Sequence, residues 1–238
     1  MDREAESFTD QPPVLAIDGP SGAGKGTVAK AVVEALGWHF LDSGALYRLT
    51  GLYCQRCGVD PDDVGRAAGL ASELPASFRV VDGNEQVWLG NEEVSGELRT
   101  EATGALASRV AVLQPVRDAL LQRQRDFRRP PGLVADGRDM GTVVFPDAPV
   151  KIFLTATAEE RARRRYKQLK DQGANVSLAS LSEEIAERDR RDASRATAPL
   201  KPAPDAETLD TTGIAVTEVV EQVLQRVEVY LRQASAHL

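Results

Sequence analysis

Apolar positions come first as short unbroken runs and then as helical spacings, and the two kinds alternate. Val14-Leu15-Ala16-Ile17 is a continuous apolar run closed by Asp18, and the stretch from Val28 to Leu36 carries a helical pattern. Trp38-His39-Phe40-Leu41 is a second short run, ending at Asp42-Ser43-Gly44, after which Ala45-Leu46-Tyr47-Arg48 opens another helix. Such alternation predicts an α/β fold, a parallel sheet with helices on both faces and ligands at the carboxyl ends of its strands. Asp42, Ser43 and Arg48 fall at that edge.

Between Gly58 and Gly96 the texture changes. Phe78–Val81 and Gln86–Leu89 are separated by Asp82-Gly83-Asn84, and Gly90-Asn91 leads to Glu93-Val94. Tight Asp-Gly and Gly-Asn turns join antiparallel neighbours and cannot serve parallel ones, so this region, about 59–96, predicts a small inserted antiparallel β subdomain. Helical patterns resume from Glu97 to about Val110 and from Pro115 to Arg129, stopped by Pro130-Pro131-Gly132. Leu133-Val134-Ala135 and Val150–Leu154 read as buried strands. Helix follows from about Ala158, interrupted at Gly173-Ala174-Asn175 and continuing through Arg188, then a Pro-rich stretch to Pro204. A short strand near Thr208-Leu209 and an amphipathic helix from Ile214 to Leu231 complete the chain. The expected organisation is a flexible tail over 1–13 and one domain over 14–238, with the insertion and a helical lid at about 158–196.

At 238 residues and 42% hydrophobic, the chain is long enough for one large core. A formal charge of −7 argues against bulk electrostatic binding of nucleic acid, so the expected anionic partner is small and met locally. Residues 1–13 have neither a basic start nor an apolar centre, unlike a secretory or transit segment, and no run reaches membrane-spanning length. These features predict a cytoplasmic protein with no membrane and no nucleic-acid partner. Cys54 and Cys57 form a C-x-x-C, but there is no second pair and only two histidines, His39 and His237, so zinc ligation is not supported and no function is assigned to them.

The chemistry concentrates in Gly19-Pro20-Ser21-Gly22-Ala23-Gly24-Lys25-Gly26-Thr27, placed between a strand and a helix. Glycines let backbone N–H groups turn around an anion, the following helix contributes its positive end, and Lys25 can reach outer phosphates. The alternative, a glycine turn that binds nothing, does not account for the lysine. The pattern departs from G-x-x-x-x-G-K-[ST] at Gly26, where a hydroxyl would touch magnesium; the hydroxyl comes one residue later, at Thr27.

Phosphoryl transfer needs positioning and positive charge more than covalent help. Two arginine clusters qualify: Arg161, Arg163, Arg164 and Arg165, then Arg188, Arg190, Arg191 and Arg195, the second interleaved with Asp189 and Asp192. Residues 188, 192 and 195 share one helical face. They read either as a salt-bridged surface or as a lid that carries arginines over bound phosphates and excludes water. Asp136-Gly137-Arg138-Asp139 sets two carboxylates and an arginine at a strand end, where an acid that organises a metal is commonly kept.

Four segments in this order resemble the bacterial cytidylate kinases, within the nucleoside monophosphate kinase group of P-loop proteins. They are Ile17 to Thr27, Leu41 to Arg48, Ala135 to Thr142, and Glu187-Arg188-Asp189 through Asp192 and Arg195 to Leu200. The resemblance implies transfer of the γ-phosphoryl group of ATP to CMP or dCMP with Mg2+; a monomer is expected, although the sequence itself does not reveal oligomeric state. It implies that Gly19 to Thr27 hold the donor, and that Lys25, Arg138, Arg164 and Arg188 act on the transferred group. Ser43, Arg48, Ser108, Arg117, Arg138, Asp139, Arg188, Asp192 and Arg195 would hold the acceptor. Magnesium is expected at Thr27, directly or through water, or through waters ordered by Asp136 or Asp139. Cytosine offers an amino donor where uracil has a carbonyl, which makes Asp139 and Ser108 candidates for reading the base. Arg48, Arg138 and Arg188 suit the phosphate and Asp192 a sugar hydroxyl. A kinase for another small acceptor, such as AMP, UMP or a metabolite, and a nucleotide-dependent switch remain as alternatives; no guanine-specifying Asn-Lys-x-Asp is present.

Overall fold

The structure is a computed structural model that describes residues 11–81, 84–171, 176–193 and 200–236. Its centre is a parallel sheet in the order β2-β6-β1-β7-β8, formed by β1 (Val14–Asp18), β2 (His39–Asp42), β6 (Leu133–Asp136), β7 (Val150–Thr155) and β8 (Glu207–Asp210). β1 lies between β6 and β7 and is buried along its whole length, which is why it reads as an unbroken apolar run. Its side chains alternate between two cores. Val14 and Ala16 pack with α2 (Ser43–Arg56), α5 (Glu101–Val110) and α6 (Gln114–Arg125). Leu15 and Ile17 pack with α1 (Lys25–Leu36) and α9 (Val216–Ser235).

The insertion is a three-stranded antiparallel sheet of β3 (Ala76–Val81), β4 (Asn84–Leu89) and β5 (Glu92–Glu93). It also contains a helix the sequence pattern missed, α3 (Val64–Ser72), whose Gly65 and Gly69 weaken the local helical signal. Asp63 caps it by accepting from Arg66 N at 3.2 Å, and Ala67 and Ala71 bury one face. The described residues of the insertion share the main core: Ala67, Ala71, Leu74 and Leu89 join the cluster beneath α2 and α6.

Three other boundaries differ from expectation. The helix expected from Glu97 to Val110 is two, α4 (Ser95–Leu98) and α5, because Thr100 turns out of the helix and caps α5, accepting from Thr103 N. α6 ends at Arg125 rather than Arg129. Pro12 already belongs to the fold, its carbonyl accepting from Arg128 Nε at 2.7 Å. The expected break at Gly173 to Asn175 lies outside the described residues, between α7 (Ala158–Asp171) and α8 (Leu178–Ala193). Cys54 is packed in the core and Cys57 is exposed, both as free thiols.

Sheet register sets the chemistry of one edge. Asp136 pairs with Asp42 on one side and with Ile17, the neighbour of Asp18, on the other. Three carboxylates therefore gather at the carboxyl ends of β1, β2 and β6, where the topology opens toward the loop 19–24.

Candidate active site

The donor side begins at the end of β1. Gly19 turns back against β7 so closely that a Cβ would collide with the carbonyl oxygen of Leu154, and Gly24 adopts φ 91° immediately before α1. These two backbone requirements explain the glycines. The loop wraps the N-terminus of α1, and Lys25 folds back into it, its Nζ donating to Pro20 O at 3.0 Å. With the loop holding its own lysine, the positive end of α1 and the ammonium converge on one small volume.

Burial dominates the electrostatics. Lys25 is brought down to about 8 by burial first and the Arg138 charge second, with Asp136 opposing. Asp136 is raised to about 7 by burial, held back by Lys25 and reinforced by Asp42. Asp18 is raised to about 6, again by burial, although it accepts from Met140 N and Gly141 N at 2.8 Å each. Those two bonds fasten the end of β1 to a π-helical turn at Met140–Val144. Charges this poorly solvated are arranged for a charged ligand.

Gly22 abuts α7, where a Cβ would approach Arg161 Cβ to 2.9 Å. Arg161, 5% exposed, donates to Ser21 O at 3.1 Å and to Asp189 on α8 at 3.0 and 2.6 Å, joining the loop to both helices. Arg164 is beside Gly24, held by Glu160 and Thr211. Arg163 makes an exposed pair with Glu159, while Arg165 reaches Glu101 across to α5. One helix face of the first arginine cluster thus serves the loop and the other is a solvated surface.

The acceptor side is a cavity lined by Ser43, Tyr47, Arg48, Ser108, Arg117, Gly137, Arg138, Asp139 and Arg188, among others. It brings together residues from α2, α5, α6, the turn after β6, and α8. Asp42 caps α2 by accepting from Ala45 N at 3.0 Å, which fixes Ser43 at the first turn and Arg48 one turn further along the same helix. Arg48 donates to Leu98 O at 2.6 Å. Arg117 and Asp139 form a buried ion pair, and Arg138 pairs with the fully buried Asp192. Asp192 stands behind Arg138; Arg195 lies outside the described residues.

Among the described residues, four buried side-chain atoms have no partner: Ser108 Oγ, Arg117 Nε, Thr142 Oγ1 and Arg188 Nε. Three belong to residues lining this one cavity. Buried polar atoms are ordinarily satisfied, so their concentration here offers free hydrogen-bonding capacity to a polar ligand. Arg188 is also pushed down to about 9, by burial and then by Arg138, which an incoming anion would relieve.

Of the residues expected from sequence, the structure gathers the loop 19–27 with Lys25 and Arg164, and beside it Ser43, Arg48, Ser108, Arg117, Arg138, Asp139, Arg188 and Asp192. Thr27 is exposed on α1. Sequence reasoning gave Asp18 and Gln124 no role and named Arg161 only as one of a cluster, without its bond to the loop. Asp18 was signalled as a carboxylate ending a buried strand. Gln124, seven residues beyond Arg117 on the buried face of α6, accepts from Ser43 Oγ at 2.7 Å.

The cytidylate kinase family model matches residues 15–229. A cytidylate kinase of Pseudomonas aeruginosa is 59% identical over 218 residues, covering 91% of this chain and 95% of that one. Those of Cupriavidus necator, 57% identical over 89% of this chain and 94% of theirs, and Methylococcus capsulatus, 56% identical over 92% and 98%, are similar along almost their whole lengths. The loop, the strand-end carboxylates and the arginine-lined cavity accordingly belong to a member of the cytidylate kinase family.

Proposed function

We propose that this protein transfers the γ-phosphoryl group of ATP to CMP or dCMP, giving ADP and CDP or dCDP. The observation that carries the acceptor assignment is the cavity in which three side chains each carry an unpartnered buried polar atom, adjacent to the phosphate loop and lined by both arginines and base-reading groups. A nucleoside monophosphate supplies what those groups lack: phosphate oxygens for Arg48, Arg138 and Arg188, and a pyrimidine edge for Ser108, Arg117 and Asp139.

In this reading the backbone of Gly19 to Thr27 grips the donor phosphates, and Lys25 leaves Pro20 O to follow the γ-phosphoryl group. Arg164 and Arg188 add charge on the donor and acceptor sides. No general base is required, because the monophosphate oxygen that attacks is already anionic; the arginines need only hold it in line. Asp192 would exchange Arg138 for a sugar hydroxyl, freeing Arg138 for the phosphate. α7 and α8 act as the lid, with Arg195 contributing to the acceptor side, and water exclusion prevents hydrolysis of ATP. The fold comprises one kinase domain carrying the insertion, working as a cytoplasmic monomer. Among the described residues no helix is long and apolar enough to cross a membrane.

The residues fit a magnesium ion that arrives with the nucleotide. Among the described residues no group of three or more His, Cys, Asp or Glu could hold a metal by itself. Gly26 instead keeps clear the space beside Asp136, whose Oδ2 lies 3.3 Å from where a Cβ would stand. We assign the ion to Asp136, acting through water, in preference to the exposed Thr27 or to Asp139, which is committed to Arg117. A magnesium ion held there would neutralise charge on the donor phosphates.

The test is ADP formation from ATP and magnesium with CMP, dCMP, UMP and AMP offered separately. CMP or dCMP should be the preferred acceptor. Equal turnover without any acceptor would remove the kinase reading, and AMP outrunning CMP would remove the specificity.

A further inference from the structure

Ser43 and Gln124 are buried together, 3% and 2% exposed, where α2 meets α6. The Ser43 hydroxyl donates to Gln124 Oε1 at 2.7 Å. The amide cannot be turned round, because its other end donates from Nε2 to Leu120 O at 3.3 Å, and a backbone carbonyl only accepts. The amide oxygen therefore faces Ser43, and it too only accepts. The single hydroxyl hydrogen of Ser43 is committed to Gln124. What Ser43 retains for the cavity that it lines is lone pairs.

Ser108, on the same cavity, differs. Its Oγ has no partner, so its hydroxyl can rotate to donate or to accept and does not by itself select either. Asp139, paired with Arg117, offers acceptors only. Arg117 and Gln124 both belong to the buried face of α6, so one helix fixes the polarity of both committed acceptors. An acceptor-only hydroxyl is a poor neighbour for a phosphate oxygen. The phosphate's charge instead suits Arg138 and Arg188, whose fields act on Lys25.

We propose that Gln124 is a specificity-determining positioning residue: by holding the Ser43 proton it makes Ser43 an acceptor-only wall of the base pocket. A pyrimidine with a 4-amino group brings two N–H donors to such a wall. One with a 4-oxo group brings only lone pairs, which would face those of Ser43 and Asp139. The proposal rests on the cytidylate reading and deepens it.

The experiment compares kcat/KM for CMP and for UMP in wild type, Gln124→Met, Ser43→Ala and the double variant, with thermal unfolding recorded for each. Gln124→Met frees the Ser43 hydrogen to donate to a 4-oxo group, so the CMP:UMP ratio should fall about tenfold. Ser43→Ala should lower the ratio as well, and adding Gln124→Met to it should change the ratio no further. A Gln124→Met protein with lowered thermal stability and an unchanged ratio would overturn the proposal, leaving Gln124 a packing residue. So would a further shift in the double variant. If Gln124→Met does not fold, Ser43→Ala decides alone, and an unchanged ratio there overturns the idea. Wild type that uses UMP as well as CMP overturns the proposal while leaving a kinase; wild type that uses neither overturns both.

Discussion

The donor cradle and the acceptor cavity share the carboxyl edge of one sheet but are built differently. The cradle is nine consecutive residues, mostly backbone, around a lysine and carboxylates that burial leaves poorly stabilised: Lys25 down to about 8, Asp136 up to about 7. The cavity is made of side chains from residue 43 to residue 188, and two of its arginines are paired, Arg117 with Asp139 and Arg138 with Asp192 behind it. A polyphosphate has the same shape in every nucleotide, so a local turn suffices to hold it. A particular base and sugar need groups aimed from several directions, which only tertiary structure supplies. The cradle is thus primed by unrelieved charge, whereas the cavity holds two paired arginines and leaves Arg188 unrelieved for an incoming anion.

The largest expected effect lies in the cradle. Lys25→Ala should lower kcat about 10³-fold while the KM for CMP changes less than about threefold, by steady-state kinetics. A comparable rise in that KM would erase the distinction between the two regions. Next is the unrelieved carboxylate. Because folding raises Asp136 from 3.8 to about 7, the folded state binds this proton more tightly than the unfolded chain, and the group's contribution to stability is lost as pH rises from about 4 to about 7. Asp136→Asn cannot lose it. Relative to wild type, the nucleotide-free variant should gain on the order of 3 to 4 kcal/mol across that window, read from urea unfolding at its two ends. A difference that does not vary with pH would show that Asp136 titrates as an ordinary carboxylate.

Arg161 sharpens the comparison at intermediate size, since it holds the loop without touching the cavity. Arg161→Ala should cost about 2 kcal/mol of unfolding free energy and raise the KM for ATP several-fold, leaving the KM for CMP near wild type. If both KM values rise together, the loop and the cavity are one mechanical unit. The smallest effect tests ligand exchange in the cavity: Asp192→Ala should reduce kcat/KM for CMP about fivefold more than for dCMP, as expected for a lost sugar hydroxyl partner. Equal losses would confine Asp192 to supporting Arg138.

The same contrast explains what could be read from the chain. The strand-loop-helix context of Gly19 to Thr27 declares itself locally, and β1 and β6 are apolar runs closed by an aspartate because both their faces are buried, whereas β7, interrupted by Lys151, is buried at alternate positions. α3 escaped notice because its glycines mask a helix that is held by Asp63 and by burial of two alanines. The cavity residues were named through family resemblance; their spacing along the chain does not reveal that Ser43, Arg117 and Asp139 meet. The role of Asp18 required sheet register, and the attachment of Arg161 to the loop required helix packing, to become visible. Gln124 is an ordinary residue of a polar helix until the bond from Ser43 is seen.

The central claim, that the acceptor is recognised in a cavity separate from the phosphate cradle, is tested most directly by calorimetric titration of CMP into nucleotide-free wild type, Lys25→Ala and Asp139→Asn. One CMP should bind wild type, Lys25→Ala should bind within about threefold of it, and Asp139→Asn at least about tenfold more weakly. Loss of CMP binding in Lys25→Ala, or full retention in Asp139→Asn, would contradict it.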